Sequence, residues 1–176
     1  MAEAAVVLSP AAFDSRSRWG GWLLLAGGMT LADQGLKRLV ASTLRLGEQV
    51  EVTGWFNLVH VLNPGAAFSF LADAGGWQRW FFVVLGIGVS VVLAVLLRRG
   101  VHRRMEALAY AGLIGGALGN VLDRLHTGAV VDYLDLHWRG MHWPAFNLAD
   151  IFVVGSAGLL LLASFTEPRA AGRSNN

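Results

Sequence analysis

Apolar residues in this chain run in long blocks more often than they alternate. Four blocks, about 19–40, 78–98, 105–125 and 148–165, approach the roughly 20 mostly apolar residues that cross a hydrocarbon core. The stretch from Trp80 to Leu97 holds no charge. The third block is small as well as apolar, with Ala107, Ala109, Ala111, Gly112, Gly115 and Gly116, a composition that lets membrane helices approach closely. The first block is interrupted by Asp33 and Lys37. Two connections, about 42–76 and 126–147, are mixed in polarity. In the first, Val50 and Val52, then Leu58, His60 and Leu62 against Val59 and Val61, alternate as strands do, and Gly47, Gly54 and Asn63-Pro64-Gly65 punctuate them as turns. That pattern predicts a small antiparallel sheet on the membrane surface. The second connection carries Tyr133, Trp138 and Trp143, residue types that favour the headgroup layer, and is expected to lie along the interface. The fold class is membrane, mainly α, with one domain over 1–176.

Composition agrees. The chain is 55% hydrophobic and 15% charged, with a mean hydropathy of +0.51, whereas soluble domains average about a quarter charged. A net charge of +2 and a pI near 9.7 would suggest nucleic acid on a soluble protein. Here the basic residues sit between apolar blocks, as in Arg98-Arg99 and Arg103-Arg104, with Arg16, Arg18, Arg169 and Arg173 in the tails. The positive-inside rule then puts both termini and the Arg-rich loop in the cytoplasm and turns the two connections outward. No nucleic-acid partner is expected. The absence of cysteine removes disulfides, thiolate metal sites and cysteine nucleophiles. Residues 1–18 include Glu3 and Asp14 and no continuous apolar stretch, and are read as a tail, not a cleavable signal peptide.

Ionisable groups near hydrocarbon are costly, from roughly 2.5–3.5 kcal/mol at a helix centre. In the inferred topology they gather at one depth: Asp33 and Lys37 in the outer half of the first block, Asn120, Asp123 and Arg124 at the outer end of the third. Asn147 and Asp150 open the fourth, and Asp132 and Asn63 lie in the connections. Asp33 and Lys37, four apart, suit a self-neutralising helix pair, and Asp123-Arg124 suits a helix-end pair. Asn120 and Arg124 share a face and can receive one ligand. Asp132 and Asp150, eighteen apart (150 − 132), meet if the second connection folds back. Two close carboxylates tend to share one proton, leaving one as a base for water and the other as an acid. Other chemistries fit less well. His60, His126, His137 and His142 lack the spacing of a His-Glu-x-x-His helix, Ser69 and Ser156 lack a Gly-x-Ser-x-Gly context, and Gly115-Gly116 and Gly119 follow no strand. A small proton-coupled transporter relaying through Asp33, Asp123 and Asp150 is the alternative, but polar groups spread through the membrane depth are lacking. A non-catalytic lipid-binding scaffold gives no reason for two carboxylates flanking one connection.

Five separated motifs resemble those of the lipoprotein signal peptidases (type II signal peptidases): Asp33-Gln34-Gly35-Leu36-Lys37, Asn63-Pro64-Gly65-Ala66-Ala67-Phe68-Ser69, Gly119-Asn120-Val121-Leu122-Asp123-Arg124, Val130-Val131-Asp132 and Phe146-Asn147-Leu148-Ala149-Asp150. They occur in that family's order and spacing; Tyr133 stands where Phe is common, and Pro64 fills a variable position. The resemblance implies an aspartyl endopeptidase of the bacterial inner membrane with Asp132 and Asp150 catalytic. Asn63, Gly65, Asn120, Arg124 and Asn147 would line the substrate site, and Asp33, Lys37 and Asp123 would support it. It also implies four transmembrane helices, an extracytoplasmic sheet, a short interfacial helix acting as a lid, and an active site at the outer leaflet. The implied substrates are prolipoprotein signal peptides cut just before a diacylglyceryl-cysteine. The expected partners are these and membrane lipids, the expected state is a monomer, and no metal or organic cofactor is implied.

Overall fold

A computed structural model describes residues 18–65, 70–72, 74–101 and 103–165. The tail residues Arg16, Arg169 and Arg173, His102 of the Arg-rich loop, and residues 66–69 of the second motif lie outside the described residues. Four long helices dominate: α1 (Trp19–Thr43), α2 (Trp77–Arg99), α3 (Arg104–His126) and α4 (Leu148–Phe165). The last three are long and apolar enough to cross a membrane, with mean hydropathies of 2.8, 1.3 and 2.1. Hydropathy understates α1, because its mid-helix charges are turned inward. Asp33 and Lys37 are 0% and 2% exposed, whereas Leu24, Leu31 and Leu39 face outward. Of its charged residues between Trp19 and Thr43 only Arg38, near the C-terminal end, is exposed, and α1 completes a four-helix membrane bundle.

Helix α3 is the axis against which the other three pack. Its small residues permit that: a Cβ on Gly115 would lie 2.8 Å from the Ala26 carbonyl oxygen of α1, and one on Gly119 would lie 2.5 Å from Asp33 Oδ2. Such close backbones replace the hydrophobic drive that helices lack in lipid. Arg98 and Arg99 occupy the last turn of α2, where cations suit the helix dipole, and the Gly100 N–H returns to the Leu96 carbonyl.

Both connections contribute to one antiparallel sheet, ordered β1 (Gln49–Thr53), β2 (Phe56–Asn63), β3 (Val130–Trp138), β4 (Met141–His142). The second connection thus holds two strands, Val130–Trp138 and Met141–His142. Val130, Val131 and Tyr133 suit a half-buried pleated surface and are buried, with Asn63 pairing Val130 and Phe56 pairing Leu136. A tight turn with positive φ at Arg139 (50°) and Gly140 (80°) joins β3 to β4, the conformation two-residue hairpins favour. Among the described residues of the two connections there is no short helix. The register of β2 on β3 shifts between Leu58 and Val61. This irregularity bends β2 beside Asp132, the partner of Val61.

Candidate active site

The site lies where the sheet meets the ends of α1, α3 and α4. Asp132 is the third residue of β3 and is 2% exposed. Past β4 the chain returns to β3: the Phe146 carbonyl accepts from the N–H groups of Tyr133 (3.0 Å) and Leu134 (2.8 Å), and its own N–H donates to Leu134 (3.0 Å). This pairing delivers Asn147 beside Asp132. Asn147 then caps α4 reciprocally with Asp150. The Asp150 N–H donates to Asn147 Oδ1 at 3.0 Å, and the Asn147 N–H donates to Asp150 Oδ2 at 3.2 Å, the geometry of a capping box.

One residue therefore links the two carboxylates: the Asn147 side chain donates to Asp132 and the Asn147 backbone N–H donates to Asp150. Asn147 Nδ2 donates to Asp132 Oδ1 at 2.6 Å while its Oδ1 is held by the Asp150 backbone. Asn63 Nδ2 donates to Asp132 Oδ2 at 3.1 Å, and Asn63 Oδ1 accepts from the Gly65 N–H at 3.0 Å. Asn120 Nδ2 donates to Asp150 Oδ1 at 2.9 Å. Burial pushes the Asp132 carboxyl up to about 7 and the neighbouring Asp150 charge adds to this, against the pull of the Asn63 and Asn147 donors and of Lys37.

The supporting charges fall in a buried layer beneath. Lys37 Nζ contacts Asp33 Oδ2, Asp123 Oδ2 and Asn120 Oδ1, each at 2.8 Å. Asp33 Oδ1 accepts from the Ala149 N–H at 2.9 Å, and Asp123 Oδ2 from the Val131 N–H at 3.0 Å, so the layer ties α1 and α3 to the first turn of α4 and the start of β3. The Asp33–Lys37 pair exists as expected from its spacing. Asp123, however, pairs with Lys37 of α1 and not with adjacent Arg124, because consecutive helix residues point apart. Nor do Asn120 and Arg124 converge through their side chains. Arg124 turns to the Gly65 carbonyl (2.6 Å) and lies over the Phe82 ring at 4.8 Å.

Three contributors had no role assigned from sequence. Gln34 Nε2 donates to Asp123 Oδ1 at 2.7 Å and to the Gly119 carbonyl at 3.1 Å; its place three residues before Lys37 was the available signal. The Tyr133 hydroxyl accepts from the Leu148 N–H at 3.1 Å. On β3, Asn57 Nδ2 donates to Asp135 at 2.7 Å and His142 Nδ1 approaches it at 2.9 Å. Burial opposes the ionised Asp135, but those two partners hold its carboxyl below the ordinary range.

The chain is similar to known proteins over most of its length. Residues 25–166 match the family described as signal peptidase (SPase) II. A lipoprotein signal peptidase of Aeromonas hydrophila is 53% identical over 146 residues, 82% of this chain and 87% of that protein. One from Ralstonia nicotianae is 50% identical over 143 residues, 81% and 83% respectively. A bacterial membrane enzyme solved by the in meso method at 2.3 Å superposes with a TM-score of 0.76 at 28% identity, covering 89% of this chain and 94% of that one. With motifs, fold and relatives in agreement, this chain belongs to the signal peptidase II family of membrane peptidases.

Proposed function

We propose that this chain is an aspartyl endopeptidase of the bacterial cytoplasmic membrane. It removes signal peptides from diacylglyceryl-modified prolipoproteins by cutting just before the lipidated cysteine. The observation that carries the reading is that one residue, Asn147, serves both carboxylates, its side chain donating to Asp132 and its backbone N–H donating to Asp150. One carboxylate takes a proton from water as its oxygen bonds to the scissile carbonyl carbon, and the other carboxyl gives its proton to the carbonyl oxygen. When the resulting gem-diol collapses, the carbon–nitrogen bond breaks, the amine leaves with the proton taken from water, and the diol hydroxyl returns a proton to the second carboxylate. The names of the relatives from Aeromonas hydrophila and Ralstonia nicotianae support the substrate class. No finding favours the transporter.

Asn63, Gly65, Asn120, Arg124 and Asn147 are the proposed substrate-binding residues, and Asp33, Lys37 and Asp123 their support. Arg124 Nε is buried with no partner among the described residues, which supports a donor role toward a substrate carbonyl. Extended pairing of the unwound cleavage region with the sheet would satisfy its freed backbone groups. Arg98-Arg99 and Arg103-Arg104 at the far end of the bundle support cytoplasmic termini and a site at the outer leaflet. The whole chain acts as one domain and as a monomer. Incubating the purified protein with a diacylglyceryl-modified prolipoprotein peptide and mapping the products by mass spectrometry tests the function. A single cut before the modified cysteine is expected; no cut, or one elsewhere, would overturn it.

A further inference from the structure

Lys37 is 2% exposed and its nitrogen carries three protons. Each faces an oxygen: Asp33 Oδ2, Asp123 Oδ2 and Asn120 Oδ1. The two ion pairs look like simple charge compensation, but the third contact does something else. An amide can sit either way round, and an ammonium can only donate. Turning the Asn120 amide over would set its NH2 against the Lys37 NH3+. The oxygen therefore stays on Lys37, the nearer of its two donors (Asn147 Nδ2 lies at 3.3 Å), and the NH2 is aimed at Asp150 Oδ1, 2.9 Å away. The other Asp150 oxygen accepts from the Asn147 N–H, and the residue lies in the first turn of α4, where the helix dipole favours negative charge. Asp132 sits on strand β3, outside any helix, and accepts from Asn63 Nδ2 at 3.1 Å and Asn147 Nδ2 at 2.6 Å. The charged groups that interact with Lys37 are Asp33 on its own helix, Asp123 on α3 and Asp132 on β3.

We infer that Lys37 is a positioning residue that locks the orientation of the Asn120 amide, thereby making Asp150 the base of the pair and leaving the shared proton on Asp132. The assignment presupposes the aspartyl reading proposed above. Lys37 is buried and acts through Asn120.

The test is the pH profile of kcat/KM for a diacylglyceryl-peptide substrate, measured on the full chain in detergent. Asn120→Ala removes the relay while leaving both Lys37 ion pairs in place, so it covers the case in which Lys37→Met does not fold. In Asn120→Ala, and in Lys37→Met if folded, the acid limb moves up by about one pH unit, the loss expected for one donor to a charged carboxylate. The basic limb stays within a few tenths, and kcat falls at least about tenfold while KM changes by less than about threefold. An unchanged acid limb in Asn120→Ala overturns the inference, and so does a further rise when Lys37→Met is added to Asn120→Ala, the result expected if Lys37 only neutralises buried aspartates. Movement of the basic limb alone overturns it equally. Wild-type cleavage by Asp132→Asn or Asp150→Asn would instead remove the aspartyl reading itself, a separate outcome read in the same assay.

Discussion

Replacing Asp132 by Asn should change how stability depends on pH in a way that follows from its surroundings. The folded carboxyl titrates at about 7 against 3.8 for the free side chain, a difference of about 3 pH units, or about 4 kcal/mol at 1.36 kcal/mol per unit. Because the folded value is the higher one, this contribution is fully present below about pH 4 and is lost as pH rises through about 7. Between about pH 5 and pH 8 the wild type gives up roughly 2–3 kcal/mol from this residue. An asparagine at 132 carries no charge and gives up none. It also loses hydrogen bonding: the oxygens of Asn63 and Asn147 are held by the Gly65 and Asp150 N–H groups, so their NH2 groups cannot turn away from the new NH2. That mismatch costs about 1–3 kcal/mol at every pH. The variant should melt close to wild type at about pH 5, where ionisation of the unfolded side chain has already removed part of that contribution, and at or above it at about pH 8. The two melting temperatures should differ in their pH dependence by about 4–12 °C, taking 2–4 °C per kcal/mol for a domain of this size. Tryptophan fluorescence during heating in one detergent measures it. Parallel pH dependences in the two proteins would refute the assignment of a raised, proton-holding Asp132.

Other consequences are open to direct assay. Asn147→Ala removes the α4 cap and the side-chain donor to Asp132 that ties it to the start of α4; it should cost about 1–2 kcal/mol and abolish measurable cleavage, and an active variant would show that this tie is dispensable. Gly65→Ala would put a Cβ 2.5 Å from the Phe70 carbonyl oxygen and 2.9 Å from the Ala72 nitrogen, contacts that backbone cannot yield cheaply. It should destabilise by about 1–3 kcal/mol and raise KM, measured by melting and by steady-state cleavage. Arg124→Ala and Asn63→Ala should each lower turnover by about tenfold or more; wild-type turnover in both would remove them from the mechanism.

Much of the bundle was legible in the sequence because lipid imposes long apolar blocks, and the polar cluster was legible because charge is so costly there. Average hydropathy misleads at α1, where Asp33 and Lys37 depress it although neither is exposed. The second connection was harder for a related reason. Tyr133, Trp138 and Trp143 suit either a headgroup layer or a strand, and only pairing with Phe56–Asn63 decides. The partners of the charges were also hidden. Asp123 lies beside Arg124 in sequence but across from Lys37 in space, and Phe146 reaches β3 through backbone alone, which no side-chain pattern announces. The meeting of Asp132 with Asp150 was accessible to reasoning because the spacing allows a fold-back. The asparagine that joins them was accessible only as one more polar residue at the right depth.

The most direct measurement is cleavage of a diacylglyceryl-modified prolipoprotein peptide by Asp132→Asn and Asp150→Asn, each checked for folding and membrane insertion. Two carboxylates acting as one unit predict that either change alone eliminates product. Product at the wild-type rate from either folded variant would contradict the paired-carboxylate account.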